Sequence, residues 1–301
     1  MLYMLFFGCF FLAMLLFPSL SFEGACKGLV LWFQTVLPTL LPFIIVSNLL
    51  VYSKGIHLIS QKIGFLFQKV FSVSYTGCYP ILVGFLCGYP MGAKTIADMV
   101  KTNLISKKEG QYLLSFCNNT SPMFIIGYLT LQNFQETKLA LPCLVILIGT
   151  PIFCSFIFRH FYITSDICFQ SPNSNPERIL FNFSLLDRAI MNGFETITRV
   201  GGYIILFSIL FVILEQLPNS LGVAFLEITN GIPLLWHSEL SYHLRFSFCL
   251  ALVSFGGVCS IIQTRAMIQD SGLSIHPYIK EKLITAIVTS LIAYIYILFI
   301  H

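Results

Sequence analysis

The stretch GFLCGYPMGAKTIADM, residues 84–99, places three glycines, a proline, a lysine and an aspartate inside an apolar sequence. The 301-residue chain is 56% hydrophobic and only 10% charged, with a mean hydropathy of +0.84, whereas about a quarter of the residues of a soluble domain are charged. The composition therefore predicts an integral membrane protein. Irregular backbone inside a bilayer is tolerated only where protein or a water-filled cavity satisfies its polar groups, so this stretch predicts helices that break within the protein.

Charge and cysteine spacing narrow the classes of partner. The formal charge of +4 comes from 17 Lys and Arg against 13 Asp and Glu, an excess too small to indicate nucleic acid. The ten cysteines are scattered singly and form no CxxC or Cys/His cluster, so we expect no metal and no cofactor. Residues 1–22 lack a basic start and a small-residue cleavage site, which favours a retained helix over a signal peptide. We expect membrane lipid to surround the chain.

Apolar stretches predict an all-α polytopic fold with about seven crossings and two re-entrant hairpins. The crossings are 1–22, 28–53, 110–135, 139–158, 185–214, 246–264 and 283–300, and the hairpins are 71–93 and 216–236. A polar connection rich in Ser, Asn and Pro separates two halves. We therefore predict an N-terminal transmembrane helix (1–25), a first repeat (26–164), a polar linker (165–184) and a second repeat (185–301).

Three sequence matches in the same order predict that the halves are an internal duplication. They are FQTVLPTLLPFIIVSNLL from Phe33 with FETITRVGGYIILFSILF from Phe194, FLCGYP (85–90) with ITNGIP (228–233), and LLSFCNN (113–119) with LVSFGGV (252–258). Apolar sequence can produce one such match by chance, but three in order are less easily produced.

The distribution of basic residues predicts the topology, because short cytoplasmic loops collect Lys and Arg. Lysines flank the segment 71–93 on both sides, so both flanks are expected in the cytoplasm and the segment is expected to enter and return. Under this topology thirteen of the 17 basic residues lie inside, including Lys280 and Lys282 before the last crossing. The two repeats are then inverted relative to one another. Inverted repeats with broken helices are typical of secondary transporters, whose substrate site lies near the midplane.

Three breaks supply candidate binding residues. CGYPMGAK, CNNTSPMF and ITNGIPLL predict half-helices whose N-terminal N–H groups and positive dipole ends attract carboxylates or phosphates. The alternative is that each Gly or Pro only kinks a helix and each polar side chain bonds a neighbouring helix. The candidate substrate-binding residues are Gly88, Pro90, Lys94, Asn118, Asn119, Thr120, Ser121, Glu227, Thr229, Asn230 and Gln263.

The charges within these segments allow more than one interpretation. Lys94 lies four residues before Asp98, which favours an intrahelical pair, the alternative being a cation at the cavity mouth. Glu195 and Arg199 have the same spacing and are expected to neutralise each other. Glu227 has no obvious local partner and is the best single candidate for a carboxylate that binds substrate or an ion.

Several of these motifs carry a family resemblance. CGYPMGAKTIADM followed by LLSFCNNTSPMFIIG, with WFQTVLPTLLPFIIVSNLL before them and FLEITNG and SFGGVCSIIQT after, resembles the sporulation integral membrane proteins of the YlbJ (SpoVV) family, whose halves carry the nucleoside-recognition or Gate domain. The resemblance extends from about residue 15 to the end. It implies a multipass protein of endospore-forming bacteria, similar in plan to concentrative nucleoside transporters.

The same resemblance implies a function, the transport of dipicolinate from the mother cell across the outer forespore membrane. Dipicolinate is a planar pyridine with two carboxylates, which half-helix N-termini with Lys94 or Arg265 nearby would suit. Fold analogy alone does not establish a function. The alternatives are a nucleoside transporter and a membrane scaffold or receptor in spore formation. An enzyme is not expected, because the sequence contains no HExxH and no GxSxG motif, and the coupling ion is unknown.

Overall fold

A computed structural model describes residues 2–52, 55–162, 182–217 and 220–300. Over these residues the chain is helical and contains no strand, so the predicted all-α class is confirmed. Most of the predicted linker 165–184 lies outside the described residues, as do Lys54, Cys168 and Arg178.

The described part of the first half contains eight α-helices and three other helical segments. The α-helices are α1 (Leu2–Leu16), α2 (Pro18–Leu31), α3 (Leu37–Tyr52), α4 (Gly55–Phe71), α5 (Cys78–Cys87), α6 (Met91–Lys101), α7 (Lys107–Cys117) and α8 (Ala140–Tyr162). A π-helical turn, Trp32–Val36, joins α2 to α3, and a longer π-helical segment, Phe124–Phe134, follows α7, with a 3-10 turn, Thr137–Leu139, before α8.

The second half has five further α-helices and one 3-10 segment. They are α9 (Phe183–Glu215), the 3-10 segment Ser220–Leu226, α10 (Ile228–Trp236), α11 (Tyr242–Phe255), α12 (Gly257–Ile268) and α13 (Ile275–Ile300).

Five helical runs in the described residues are long and apolar enough to cross a membrane. They are Pro18–Tyr52, Thr137–Tyr162, Phe183–Glu215, Tyr242–Ile268 and Ile275–Phe299. These runs confirm a polytopic membrane protein. The predicted division between 1–22 and 28–53 is wrong, because α1 ends at Leu16 and a new helix begins at Pro18. Proline is favoured at the first position of a helix because its fixed φ suits the helix and its missing N–H has no partner there.

The two longest helical runs, α2–α3 and α9, pack side by side in opposite directions. Gly24 lies against Ile209 at one end of the contact, and Asn48 donates a hydrogen bond to the backbone oxygen of Ala189 at the other. Antiparallel packing of these two runs is the arrangement that inverted repeats produce. The duplication itself stays a prediction.

The segment 71–93 does not form one crossing helix. Helices α5 and α6, of 10 and 11 residues, pack against each other on either side of Gly88–Pro90. At 1.5 Å per residue each is about 15 Å long, half of a hydrocarbon core of about 30 Å. The hairpin therefore has the dimensions of a re-entrant element, and its return arm extends to Lys101.

Two further helices are interrupted in the interior. Helix α7 ends at Cys117, and helical structure resumes only after Ser121, as the motif CNNTSPMF predicts. Helix α11 ends at Phe255, and α12 begins at Gly257 after Gly256 in the left-handed region, with φ of 88°. This break was not predicted, although SFGGV had been matched to SFCNN.

The predicted position of the break in ITNGIPLL is wrong by a few residues. The chain breaks at Glu227, and Asn230 and Pro233 lie within α10. Pro233 has no N–H to donate to the backbone oxygen of Thr229, and the Tyr128 hydroxyl donates to that oxygen instead. Because the freed carbonyl has this partner, the helix continues through the proline.

Two large apolar cores surround the breaks, and a smaller cluster of Val200, Ile204 and Cys259 lies at the cavity. The first contains Ile44, Met91 and Phe116 and packs around the hairpin α5–α6. The second contains Leu235 and Phe246 and packs around α10 and α11. The candidate site is enclosed by segments that belong to both cores.

Candidate functional site

The breaks of both halves border one cavity. Its volume is about 400 Å³, which is within the range of small-molecule sites in proteins. Its lining includes Thr35, Thr39, Gly88, Thr120, Glu227 and Gly256. These residues come from the π-helical turn, from α3 and from the four breaks, which lie at Gly88, at Thr120, at Glu227 and at Gly256. The fold itself therefore creates the cavity.

Close backbone approach positions the wall formed by the first half. Gly88 has φ of 85°, a conformation that favours glycine, and an added Cβ atom would lie 2.8 Å from the backbone nitrogen of Ser121. The tip of the hairpin α5–α6 therefore rests directly on the break after α7. The predicted role of Gly88 as the turn residue fits this geometry, while Pro90 lies just before α6 and does not line the cavity.

Three helical segments begin at the cavity. Phe124 donates its backbone N–H to the Ser121 hydroxyl over 3.2 Å, as an N-cap does. Glu227 caps α10 with its carboxylate. Gly256 precedes α12, which has no side-chain cap among the described residues. The N-terminal ends carry positive partial charge, so they favour an acceptor or an anionic group within the cavity.

Glu227 has local partners, and the expectation that it has none is wrong. Its side chain is 3% exposed, and Oε2 accepts hydrogen bonds from the backbone N–H groups of Thr229 and Asn230, both over 3.0 Å. The Thr229 hydroxyl and the Asn230 amide donate to the same oxygen. Within the described residues no hydrogen bond reaches Oε1. This second oxygen is the part of the carboxylate that a ligand can use.

The rest of the lining is apolar and aromatic with a few neutral polar groups. Phe124, Tyr128 and Ile204 contribute flat or branched apolar surface, and Gln263 contributes an amide. Among the lining residues of the described chain, Glu227 is the one carboxylate, and there is no Lys or Arg. The described residues also contain no group of three His, Cys, Asp or Glu that could hold a metal ion.

The structure divides the predicted site residues into two groups. Those that line the cavity are Gly88, Thr120, Ser121, Glu227, Thr229 and Gln263. Those that do not are Pro90, Lys94, Asn118, Asn119 and Asn230. Substrate binding by any of these residues stays a prediction.

The charged side chains pair as their spacing predicts. The Lys94 ammonium lies 2.7 Å from the Asp98 carboxylate and 3.4 Å from the Asn48 side-chain oxygen, away from the cavity. Arg199 and Glu195 form an ion pair of 2.6 Å, exposed on α9. Neither Lys94 nor Arg265 therefore supplies a cation to the cavity.

Asn118 holds the interior together instead of facing the cavity. Its amide nitrogen donates to the Thr264 hydroxyl over 2.8 Å and to the Tyr278 hydroxyl over 2.9 Å, and its oxygen accepts from the backbone N–H of Ala93 over 3.3 Å. This is the alternative role considered for polar residues in bundles. Asn119 likewise turns toward α13, where it meets Lys282.

Several lining residues were missed. Thr35, Tyr89, Tyr128 and Gly256 line the cavity and were not candidates. Thr35 belongs to the repeated Phe-[Gln/Glu]-Thr match and Tyr89 to the opening motif, so the sequence did contain a signal for both. For Tyr128 it contained none, because its role depends on Thr229, 101 residues away.

Comparison with known proteins supports the resemblance seen in the motifs. The chain is similar to the sporulation integral membrane protein YlbJ of Bacillus subtilis (strain 168). The identity is 25% over an alignment of 314 positions, which covers 90% of this chain and 76% of the relative. The resemblance to the YlbJ family is thereby confirmed. No family model matches the chain, so the Gate domain stays a prediction. No solved structure matches it.

Proposed function

We propose that this YlbJ-family membrane protein acts in sporulation as a transporter of a small organic anion, dipicolinate, across the outer forespore membrane. The observation that carries the proposal is the cavity at which the breaks of both halves meet. Broken helices that surround a central cavity are the usual construction of a transporter's substrate site. The similarity to the sporulation integral membrane protein of Bacillus subtilis supports the role in sporulation.

The lining suits a flat ring that carries carboxylates. Phe124 and Tyr128 offer aromatic surface, on which a planar ring can stack. The helix starts at Ser121 and Gly256 direct positive partial charge toward the cavity, where they can accept the carboxylates. In this arrangement binding energy for the two acidic groups comes from backbone N–H groups and not from Lys or Arg.

Transport requires that the cavity open to each side in turn. The hairpin α5–α6 and its counterpart, Ser220–Leu226 with α10, each border the cavity from one half. Movement of one half against the other around a fixed site is the usual means of alternating access. The contact of Gly88 with Ser121 is a place where such movement can begin, because it joins a hairpin tip to a break without a side chain between them.

A second candidate cargo is a nucleoside, and one observation favours it. The carboxylate of Glu227 lies on a cavity wall without any Lys or Arg in the described lining, which opposes a dianion but suits the hydroxyl groups of a neutral ribose. The Glu227 carboxylate would thus weaken the binding of dipicolinate and strengthen the binding of a nucleoside.

The experiment is uptake of labelled compounds by the purified full-length protein in proteoliposomes. We expect saturable uptake of dipicolinate that unlabelled dipicolinate competes and uridine does not. Saturable uptake of uridine without dipicolinate uptake would establish the second candidate. Absence of both, with protein correctly inserted, would contradict transport and favour a scaffold or receptor.

A matched pair of variants links uptake to the cavity. Gly127 lines the cavity, and an added Cβ atom would meet no atom within 4 Å, so Gly127→Phe introduces a ring at the cavity without a clash at its first atom. Gly149 is equally unobstructed but lies on the exposed side of α8. We expect Gly127→Phe to lose uptake and Gly149→Phe to retain it. Equal uptake by both variants would place the transport route elsewhere.

A further inference from the structure

Lys282 is buried in the protein interior, where α13 passes the breaks. Its side chain is 1% exposed. The ammonium nitrogen donates to the side-chain oxygen of Asn119 and to the backbone oxygen of Ser254, both over 2.9 Å. It also lies 5.0 Å from the centre of the Tyr89 ring. The sequence places this lysine with the basic residues before the last crossing, whereas the structure places it within α13 and buried. Its predicted cytoplasmic side stays a prediction.

The three partners belong to three different interrupted elements. Tyr89 lies at the tip of the hairpin α5–α6, Asn119 lies in the break after α7, and Ser254 is in the last turn of α11. The Tyr89 hydroxyl also donates to the Ser254 oxygen, over 3.0 Å. One ammonium group therefore connects the hairpin tip to the interrupted helices of both halves.

These partners favour a positive charge. The Ser254 carbonyl lies in the last turn of α11, and the last carbonyl groups of a helix carry negative partial charge that attracts cations. The face of an aromatic ring attracts a cation as well. Among the described residues no carboxylate forms an ion pair with Lys282, and the neighbouring Glu281 bonds the Tyr162 hydroxyl. Neutral oxygens and a ring therefore stabilise the charge.

The same set of groups would suit a small monovalent cation that has lost its water. In transporters, carbonyl groups of unwound backbone and the C-terminal ends of half-helices coordinate such ions. Here the amide oxygen of Asn119 and the carbonyl oxygen of Ser254 are in place. The Thr289 hydroxyl donates to the Ser254 hydroxyl over 3.0 Å.

We infer that the breaks form a monovalent-cation site and that the ammonium of Lys282 occupies it. A cation tethered to α13 fills the position that free Na⁺ or K⁺ would otherwise need to fill. The hairpin tip then stays attached to both interrupted helices without a metal ion at this position. The inference concerns the architecture of the breaks and does not depend on which cargo the cavity accepts.

Two substitutions at Lys282 separate the charge from the space it occupies. Lys282→Ala removes both and leaves room for a small cation, whereas Lys282→Met removes the charge but keeps the volume. Lys280→Ala is the matched control, because Lys280 lies on the exposed side of the same helix. The measurement is the thermal unfolding midpoint of the purified full-length protein in chloride salts of Na⁺, K⁺, methylammonium and choline at equal ionic strength.

The inference predicts a distinct response from each protein. The wild type and Lys280→Ala should unfold at the same temperature in all four salts. Lys282→Ala and Lys282→Met should both lose roughly 5–15 °C in choline chloride. Only Lys282→Ala should recover, by roughly 5 °C or more, in methylammonium, Na⁺ or K⁺ at a concentration far above the dissociation constant.

Three results would overturn the inference. One is specific stabilisation of the wild type by Na⁺ or K⁺ over choline that Lys282→Met lacks, which would mean that a free ion binds at the breaks beside the Lys282 ammonium. Another is a folded Lys282→Ala protein that no small cation stabilises. The third is recovery of Lys282→Met to the same extent as Lys282→Ala. If Lys282→Ala does not fold, the responses of the wild type and of Lys282→Met to the four salts still decide.

Discussion

An interrupted helix occurs in each half, within the sequence segments LLSFCNN and LVSFGGV, but the two differ in how the interruption is made. After α7 the chain is non-helical from Asn118 to Ser121, and the side chains of these residues fill the gap. After α11 a single residue, Gly256, separates the two helices, and its φ of 88° makes the turn. The first break is built from polar side chains, and the second from backbone conformation alone.

This difference shows that a polar residue at a break need not face a ligand. Asn118 and Asn119 point to α12 and α13, and their hydrogen bonds keep the first break open. Gly256 has no side chain of its own, and the side chains of Tyr89 and Ser260 lie against it at the cavity wall. The asparagines of the first break therefore bind other helices, whereas the start of α12 forms part of the cavity wall.

Backbone contact at the first break gives the largest expected effect. A methyl group on Gly84 or on Gly92 would overlap the backbone oxygen of Cys117, the last residue of α7. Because backbone and not a movable side chain is the obstacle, Gly84→Ala should cost more than about 4 kcal/mol and leave little folded protein. The measurement is the amount of monodisperse protein recovered from membranes by size-exclusion chromatography.

The control for this prediction is Gly202→Ala on α9. An added methyl group there meets no atom within 4 Å, so recovery should equal that of the wild type or exceed it slightly, since alanine favours helix by about 0.5–1 kcal/mol over glycine. Normal recovery of Gly84→Ala would show that the hairpin and α7 are not packed this closely.

The amide network of the first break gives the next effect. Asn118→Leu leaves the backbone N–H of Ala93 without its side-chain acceptor and removes the donor to the hydroxyls of Thr264 and Tyr278, and we expect a loss of about 2–4 kcal/mol. Asn192→Leu removes a single bond, to the Tyr52 hydroxyl, and should cost about 1 kcal/mol. Thermal unfolding midpoints of the two variants provide the comparison. Equal losses would contradict the structural role assigned to Asn118.

Glu227, in the second half, offers a test in which the two candidate cargoes predict opposite changes in affinity. Glu227→Gln keeps an oxygen to cap α10 but removes the charge, so stability should change by less than about 1 kcal/mol. If the cargo is a dianion, its affinity should rise by about tenfold, ~1.4 kcal/mol, because the repulsion is gone. If the cargo is a nucleoside that donates to Oε1, affinity should fall. Dissociation constants from ligand-dependent thermal shifts measure the change, with the exposed Glu239→Gln as the control.

Local chemistry predicted the breaks whose causes lie close together in the sequence. Glycine and proline mark the turn at Gly88, and the serine before proline marks the helix start at Ser121. The ion pair of Glu195 with Arg199 follows from a separation of four residues. These features need no knowledge of distant segments, and the all-α membrane fold likewise follows from composition and the lengths of the apolar runs.

Distant partners account for what the sequence could not predict. Lys282 lies near the start of the last apolar run, where a basic residue indicates a cytoplasmic loop, and its partner Asn119 is 163 residues away. Pro233 indicates a break, but the Tyr128 hydroxyl bonds the carbonyl that the proline leaves free. In both cases a residue from another element reverses the local expectation, and a single sequence does not reveal the contact.

The smallest expected effect compares two serines that make the same capping bond. Ser121 accepts from the N–H of Phe124 over 3.2 Å, and Ser106 accepts from the N–H of Glu109 over 3.1 Å. Either change to alanine should lower stability by about 1 kcal/mol, since each removes one N-cap. Only Ser121 lines the cavity, so Ser121→Ala alone should also weaken binding of the transported compound, by a few-fold in the dissociation constant. Unequal losses of stability with equal binding would mean that the helix start at Ser121 supports the fold and takes no part in recognition.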